Sequence, residues 1–306
     1  MFLRAQCMEK PDAETETDME VKMSKPEFDV KALTIKSLEL RKVVLDMIMK
    51  SGGGHIGGDF SVMDALVTLY FDQMNVSPEN MDDPDRDYFI MSKGHSVESY
   101  YAVLAAKGFF ETEKVVNEFS QFGSKFIGHP NNELPGIEMN SGSLGHGLPV
   151  SVGMALACRK ENRPSRIYTI MGDGEVAEGS VWEGFMAAGH YQLSNLCAVV
   201  DRNRLQISGT TEQVMTHENL HAQIESFGWN VIEANGNDIA EMREAFEQAK
   251  TVTDRPTCII ANTVKGYGGG EIMENKAAWH HHVPTQEEYE EIVKALETKK
   301  EGILHE

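Results

Sequence analysis

The sequence predicts an α/β fold, with a mainly parallel sheet and helices on both faces. Short apolar runs of strand length alternate with longer runs of helical spacing from residue 33 onward, which is typical of such sheets. The apolar runs contain few polar residues, as expected for strands buried on both faces. Polar, glycine-rich clusters follow them. Since ligands of parallel sheets gather at the carboxyl ends of the strands, we expect one site at that edge.

The helices are predicted from apolar periodicity and from capping residues. Leucine, isoleucine, valine and methionine recur at helical spacing over 33–49, and the glycine-rich run 51–58 ends that helix. Asp238 is the expected N-cap of the helix that follows it, and Thr285 with Glu288 forms a candidate capping box. The remaining helices are expected over 61–70, 97–107, 112–119, about 147–159, 179–190, 239–250 and a last segment through 299.

The strands are predicted from short runs that are rich in apolar and β-branched residues. Glycine, asparagine or a polar turn follows most of them. They are expected at 88–91, 167–171, 196–200, 229–234 and 257–263.

Composition sets the class of protein. The 306 residues carry a net charge of -20, which repels nucleic-acid backbones. No run approaches the roughly 20 apolar residues of a membrane span, and the amino terminus lacks a signal-peptide core. The four cysteines are scattered, without metal or disulfide spacing, which favours a cytoplasmic protein. We expect an acidic, disordered tail over 1–30 and one domain over 31–306.

Two strand ends suggest a cation bound to a diphosphate. One apolar run leads into Gly172, Asp173 and Gly174, and the next leads into Asn203. A carboxylate and an amide at neighbouring strand ends can bind one Mg²⁺ or Ca²⁺, and the backbone carbonyl of Leu205 is a plausible third ligand. The glycines allow close approach of a phosphate, and the helix after Gly174 presents free N–H groups.

Histidines form a second candidate cluster. His55, His95, His129 and His146 all lie next to glycine in predicted loops, where imidazoles can move protons and bind sugar hydroxyls or phosphates. The triplet 280–282 is a poor mononuclear metal site, because neighbouring side chains point apart on an extended chain; one of the three is expected to serve the site. Glu178, at a helix start, is either a carboxylate favoured by the helix dipole or a buried acid that positions the cofactor.

Over most of its length the chain resembles the thiamine-diphosphate-binding, amino-terminal half of transketolases. The segment GDGEVAEGSVWEGFMAAGHYQLSNLCAVVDRNRLQISG is similar to the family's cofactor signature throughout. FIMSKGH, FIGHP, ELPGIEMNSGSLGHGL and KGYGGG…WHHH resemble further family blocks in the expected order. The resemblance implies the thiamine-diphosphate-binding fold, with Mg²⁺ as the expected metal and Ca²⁺ or Mn²⁺ as alternatives.

The resemblance also implies roles for individual residues. Asp173, Asn203 and the Leu205 carbonyl would hold the metal. The residues that would touch the cofactor are Gly142, Ser143, Leu144, Gly172, Gly174, His95, His129 and His280. His55 would lie near the hydroxyls of the donor sugar, and Glu178 would link the two cofactor sites of a dimer.

This sequence also departs from the family pattern. His146 stands where many transketolases have glutamine, and the WHHH segment allows either His280 or His281 to align. The loop SGGGHIGGDF keeps the family's histidine and lacks its proline, which suggests a changed donor specificity.

The resemblance stops before the family's pyrimidine-binding domain, whose glutamate activates the cofactor. We therefore expect the diphosphate-binding subunit of a split transketolase, which needs a separate carboxy-terminal subunit in an α2β2 assembly. It would transfer a two-carbon ketol unit from a ketose or ketose phosphate to an aldose through a thiamine diphosphate carbanion. Two alternatives are an α-type subunit of a 2-oxo acid dehydrogenase, which shares the Gly-Asp-Gly to Asn signature, and a non-catalytic cofactor-binding module.

Overall fold

The computed structural model describes residues 29–217 and 219–305. Its centre is a five-stranded, entirely parallel sheet in the order β1-β2-β3-β7-β6, and a two-stranded antiparallel pair, β4-β5, lies beside it. The strands are β1 Tyr88–Met91, β2 Ile167–Gly172, β3 Leu196–Arg202, β4 Leu205–Gln206, β5 Gly209–Thr210, β6 Asn230–Asn235 and β7 Thr257–Asn262. The parallel sheet confirms the predicted fold class.

Helices surround this sheet. They are α1 Val30–Ser51, α2 Ile56–Thr68, α3 Val97–Lys107, α4 Thr112–Glu118, α5 Gly147–Lys160, α6 Gly179–His190, α7 Thr211–Val214, α8 Leu220–Glu225, α9 Ile239–Thr251 and α10 Gln286–His305. Among the described helices, none is long and apolar enough to cross a membrane.

The sheet separates two hydrophobic cores, because successive side chains of a strand point to opposite faces. In β3, Cys197 and Val199 pack with α1, α2, α3 and α9 on one face. Leu196 and Val200 of the same strand pack with α5, α6 and α8 on the other. Burial on both faces explains why the central strands have nearly continuous apolar sequences.

The helix ends that the sequence predicted best are those with capping side chains. The Asp238 carboxylate accepts hydrogen bonds from the amides of Ala240 and Glu241, as predicted for the N-cap of α9. Thr285 and Glu288 bond each other's amides reciprocally, which confirms the capping box of α10. These side chains accept hydrogen bonds from amides that have no partner within the helix.

Three regions differ from the expected elements. α2 begins at Ile56, inside the glycine run, and a π-helical turn over Leu69–Gln73 extends it. Tertiary burial outweighs glycine's low helix propensity there, because every residue of α2 is buried. A 3₁₀ turn, Gly174–Ala177, separates Gly174 from α6. The short elements β4, β5, α7 and α8 had no periodicity long enough to predict them.

The predicted acidic tail falls almost wholly on residues 1–28, outside the described ranges. Its last two positions are described: Asp29 is the N-cap of α1, with its carboxylate accepting from the amide of Lys31, and Val30 is the first helical residue.

Candidate functional site

The loops after β1, β2, β3 and β7 meet at one edge of the parallel sheet and line a cavity of 370 Å³. The predicted site residues in its wall are His55, His95, Gly142, Leu144, Gly172, Asp173, Gly174, Asn203, Leu205 and His280. Residues in the wall that the sequence did not point to are Gly58, Lys93, Glu175, Gln206, Ile207, Ser208 and Lys265.

The three predicted metal ligands lie together in this wall. Asp173 is 6% exposed, and its carboxylate accepts from the amides of Gly174 at 2.9 Å and Arg204 at 2.6 Å. Asn203 is 7% exposed, and its side-chain oxygen accepts from the Leu205 amide at 3.1 Å. These hydrogen bonds lie at the ends of β2 and β3. The parallel pairing of the two strands brings Asp173 and Asn203 together.

Acidic and basic side chains both lie close to these oxygens. Burial and the nearby Asp201 carboxylate raise the pKa of Asp173 to about 6. The ammonium of Lys265 donates to the Leu205 carbonyl at 3.3 Å, and burial lowers the pKa of that lysine to about 8. A dication beside Asp173 would favour its ionised form.

Two buried acids that sequence reasoning missed hold the loops in place. Glu175 accepts from Ser92 Oγ and from the amides of Gly145 and Gly172, and so ties the loops after β1 and β2 to the loop before α5. Asp201 forms an ion pair with Lys93, with both side chains 1% exposed. It lies two residues before the predicted ligand Asn203, and this spacing was the only sequence signal that could have found it.

Asp201 also orients the neighbouring side chains. It accepts from Ser61 Oγ at 2.6 Å and from Thr263 Oγ1. The Asn203 amide nitrogen lies 3.4 Å from Asp201 Oδ2, which turns the amide oxygen away from Asp201. The carboxylate therefore sets which end of the Asn203 amide is available for a metal.

A cluster of histidines forms the other part of the site. The His55 ring lies 5.5 Å from His95, 6.1 Å from His129, 5.6 Å from His280 and 4.7 Å from His281, measured between ring centroids. Buried His55 Nδ1 has no hydrogen-bond partner among the described residues. The glycine-flanked histidines thus converge, with His146 as the exception.

The triplet divides its three side chains. His280 lines the cavity and its Nδ1 lies 3.0 Å from Lys265 Nζ, whereas His281 contacts His55. His282 turns to Trp279 and bonds Glu288 at 2.9 Å. Both alignments left open by the sequence, His280 and His281, therefore lie beside His55.

The imidazoles of His55 and His280 are neutral near pH 7. Burial, followed by the charge of His281, lowers the pKa of His55 to about 4, and burial with Lys265 lowers that of His280 to about 3. Burial also lowers the pKa values of His95 and His129. Neutral imidazoles can both donate and accept hydrogen bonds, which suits hydroxyl-bearing ligands.

Four predicted residues lie outside the cavity wall. His129 contacts the cavity-lining His55 through its ring, and Ser143 is exposed. His146 is exposed, with its Nδ1 3.1 Å from the Leu144 carbonyl. Glu178 is the exposed N-cap residue of α6, without a side-chain cap bond.

The cavity fits a diphosphate-bearing cofactor. A Cβ at Gly172 would meet no atom of residues 29–217 or 219–305 within 4 Å, so the glycine leaves open space in the wall. Gly142 has φ +136°, and a Cβ there would stand 2.6 Å from His129 Cδ2. Buried Gln206 Nε2 has no partner among the described residues and is available to an acceptor. Open backbone, a free donor and the Asp173–Asn203 pair match a metal-bound diphosphate.

Comparison with known proteins shows the family to which this fold belongs. Residues 33–301 match the family model described as transketolase, thiamine diphosphate binding domain. The chain is 45% identical over 276 residues to a subunit of the apulose-4-phosphate transketolase of Phocaeicola vulgatus, covering 90% of this chain and 98% of the relative. It is 40% identical over 264 residues to the 6-deoxy-6-sulfo-D-fructose transketolase subunit SqwG of Clostridium sp., covering 86% and 94%.

Solved structures agree as well. A transketolase variant from Pichia stipitis superposes with a TM-score of 0.80 at 31% identity, covering 89% of this chain and 41% of that chain. The protein is thus an α/β protein of the thiamine-diphosphate-binding class, and it belongs to the transketolase family. Within that family its length corresponds to that of relatives named as transketolase subunits, and to less than half of the Pichia stipitis chain.

Proposed function

We propose that this chain is the diphosphate-binding subunit of a two-subunit transketolase. It would transfer a two-carbon ketol unit from a ketose or ketose phosphate donor to an aldose acceptor. The observation that carries the proposal is that a carboxylate, an amide and a carbonyl at two strand ends face the same cavity as a cluster of histidines.

The cofactor would be held mainly by its diphosphate. Asp173, Asn203 and the Leu205 carbonyl would bind a divalent cation, with Mg²⁺ the expected ion, because all three are hard oxygen ligands. The backbone at Gly142–Leu144 and at Gly172–Gly174 would border the diphosphate. When bound, thiamine diphosphate supplies a carbon nucleophile for the ketose carbonyl and an electron sink for breaking the adjacent carbon–carbon bond.

The histidines would bind the sugar and move its protons. His55 has a buried Nδ1 without a partner among the described residues, and it is the residue we assign to the donor hydroxyls. His95, His129 and His280 would face the cofactor's reactive end. Because the lowered pKa values keep His55 and His280 neutral at pH 7, each can accept one proton and donate another during transfer.

The proposed donor class is an anionic or branched ketose. The relatives act, by name, on apulose-4-phosphate and on 6-deoxy-6-sulfo-D-fructose, which carry a phosphate and a sulfonate. This chain is 45% and 40% identical to those proteins. A pentose phosphate is the third candidate to be compared.

The assembly would be α2β2 and cytoplasmic, with a carboxy-terminal subunit that carries the pyrimidine-binding domain. Glu178 is exposed in the single chain, and Val150 and Met186 of the neighbouring α5 and α6 are exposed apolar side chains. Their position supports burial of Glu178 against a second copy, where it would link two cofactor sites. The three described cysteines are free and buried, in keeping with a reducing compartment.

Reconstitution tests the proposal. The purified chain is mixed with a carboxy-terminal transketolase subunit, thiamine diphosphate and Mg²⁺, and ketol transfer is measured with apulose-4-phosphate, 6-deoxy-6-sulfofructose and xylulose 5-phosphate as donors. We expect turnover with the pair and almost none when either protein is assayed by itself. Full transfer by this chain without its partner would contradict the split arrangement.

Pyruvate serves as the discriminating donor. A 2-oxo acid dehydrogenase α-type subunit would decarboxylate pyruvate, whereas the histidine cluster favours a polyhydroxylated donor. Decarboxylation of pyruvate without ketol transfer would reject the transketolase assignment. Tight thiamine diphosphate binding with no activity in any assembly would favour a non-catalytic module.

A further inference from the structure

Two buried carboxyl groups face each other behind the histidine cluster. Asp59 lies in the first turn of α2 and Glu98 in the first turn of α3, and both residues are 0% exposed. Glu98 Oε1 accepts from the His55 amide at 3.1 Å, and Asp59 Oδ1 accepts from the Ser99 amide at 2.8 Å. Each acid therefore binds the backbone at the start of the other helix.

The second oxygen of each acid has no donor among the described residues. Asp59 Oδ2 and Glu98 Oε2 are buried, and the two side chains lie within hydrogen-bonding reach of each other. Two ionised carboxylates can only accept hydrogen bonds, so within hydrogen-bonding reach they would repel each other. A single proton between them would satisfy both free oxygens and remove one buried charge.

The groups around the pair do not neutralise two charges. Lys93, from the loop after β1, acts on Asp59 electrostatically, but its ammonium is already bonded to Asp201 and to the Gly58 carbonyl. Tyr101 of α3 feels the charge of Glu98, and α1 contributes the apolar Ile48 beside Gly54. Burial raises the pKa of Asp59 to about 7 and that of Glu98 well above its usual range.

We propose that Asp59 and Glu98 share one proton and act as positioning residues for His55. Glu98 holds the His55 amide, and His55 is the residue from which α2 begins. The loop lies directly on this acid, since a Cβ at Gly54 would stand 2.5 Å from Glu98 Oε1. The pair thus fixes the imidazole at the cavity. The consequence for sugar binding rests on the proposed function, whereas the shared proton does not.

Amide substitutions test the shared proton. In Glu98→Gln the new amide can accept from the His55 amide and donate to Asp59. In Asp59→Asn it can accept from the Ser99 amide and donate to Glu98. In each single variant an amide N–H therefore takes the place of the shared proton. We expect the melting temperature of each variant at pH 7 to stay within about 2 °C of the parent's.

The double variant Asp59→Asn/Glu98→Gln has two NH₂ groups facing each other and no acceptor between them. We expect its melting temperature to fall on the order of 5 °C more than the sum of the single changes. A double variant as stable as the single variants, or more stable, would overturn the shared proton. If both carboxyl groups were ionised, each amide substitution would remove a buried negative charge and would therefore stabilise the fold.

The pH dependence is an independent test. A proton bound only by the folded chain makes stability fall as the pH rises from about 5 to about 8. Glu98→Gln removes this dependence, so the difference in melting temperature between parent and variant should change across that range. A pH-independent difference would count against the proposal.

The positioning role has its own readouts. In Glu98→Ala we expect hydrogen exchange of the His55 amide to accelerate at least about 10-fold, and Glu98→Gln to restore protection, whatever the protein's activity. In the reconstituted enzyme, Glu98→Ala should raise KM for the ketose about 10-fold with the Kd for thiamine diphosphate unchanged. Glu113→Ala, at an exposed position of α4, is the control.

Unchanged exchange at the His55 amide in Glu98→Ala would overturn the positioning role. So would a loss of kcat or cofactor affinity with KM unchanged. Failure of the proposed function would appear differently, as absence of ketol transfer in the parent assembly, and the unfolding and exchange results would still decide the acid pair.

Discussion

The part of the cavity around Asp173 and Asn203, the proposed metal end, and the part around His55, the histidine end, are built in opposite ways. At the metal end, Asp173 and Glu175 accept hydrogen bonds from backbone amides, and Asp201 is bonded by Lys93, Ser61 and Thr263. At the histidine end, rings contact rings, and His55 Nδ1 is buried without a partner among the described residues. The carboxylates at the metal end are satisfied by internal donors, whereas His55 Nδ1 at the other end keeps unused hydrogen-bonding capacity.

This difference suits one end to holding a cofactor and the other end to binding and releasing a substrate. A cofactor that stays bound requires ligands fixed in advance, which backbone amides provide at little entropic cost. A sugar that arrives and leaves requires groups that are incompletely satisfied in its absence. The electrostatics differ as well: burial raises the pKa of Asp173 and lowers that of His55.

Removing the charge at the metal end should have the largest effect. We expect Asp173→Asn to lower cofactor affinity in the presence of Mg²⁺ by at least about 100-fold, since a metal ligand loses its charge. The same variant should be more stable than the ligand-free parent at pH 7, because a buried carboxylate is removed. Titration calorimetry and urea unfolding measure the two effects.

Asp254→Ala, at an exposed position, is the matched control. Normal cofactor affinity in Asp173→Asn would show that the carboxylate is not a ligand.

Breaking the buried ion pair at the same end comes second. Lys93→Met leaves Asp201 charged and buried, and should lower the free energy of unfolding by about 3–5 kcal/mol. Adding Asp201→Asn should recover part of that loss. Urea unfolding gives both values. Lys125→Met, in a pair that is 60% and 64% exposed, should cost less than about 0.5 kcal/mol.

At the histidine end a single substitution should act on the sugar alone. His55→Ala is expected to raise KM for the ketose about 10-fold, the loss of roughly one hydrogen bond, with the cofactor's Kd unchanged. Steady-state kinetics of the reconstituted pair and cofactor titration measure the two constants. A parallel loss of cofactor affinity would erase the proposed division between the two ends.

The contributions of Asp173 and His55 to stability should change with pH in opposite directions. The folded pKa of Asp173 is raised to about 6 from 3.8, so its contribution to ligand-free stability is lost as the pH rises through that window. The folded pKa of His55 is lowered to about 4 from 6.5, so its contribution is lost as the pH falls from about 6.5 to about 4.

Melting temperatures of Asp173→Asn and His55→Gln, relative to the parent across pH 4–7, should therefore slope in opposite directions. Slopes of equal sign would contradict the contrast.

The smallest effect is expected at His146. Its side chain is exposed and lies outside the cavity wall, so His146→Gln should change kcat, KM and cofactor affinity less than about 2-fold. The reconstituted assay measures this variant beside His55→Ala. A change above about 10-fold would place His146 in the functional site.

The sequence predicted the sheet and the strand-end residues, because apolar periodicity and the Gly-Asp-Gly turn are local signals. It did not point to Glu175 or Lys265, which have partners far away along the chain, among them Ser92 and Leu205. It also could not separate the members of the histidine triplet, since their different surroundings come from tertiary packing. The Asp59–Glu98 pair was missed because acids in the first turn of a helix ordinarily only favour the helix dipole.

The triplet 280–282 has a genetic consequence. Its three identical residues face three different surroundings: Lys265 in the cavity, the His55 ring, and Glu288 at the start of α10. Deleting any one of the three codons gives the same protein, so all three deletions have the same structural consequence. The shortened chain has to give up either the cavity side chain or the link to the last helix, and an insertion creates the reverse misfit.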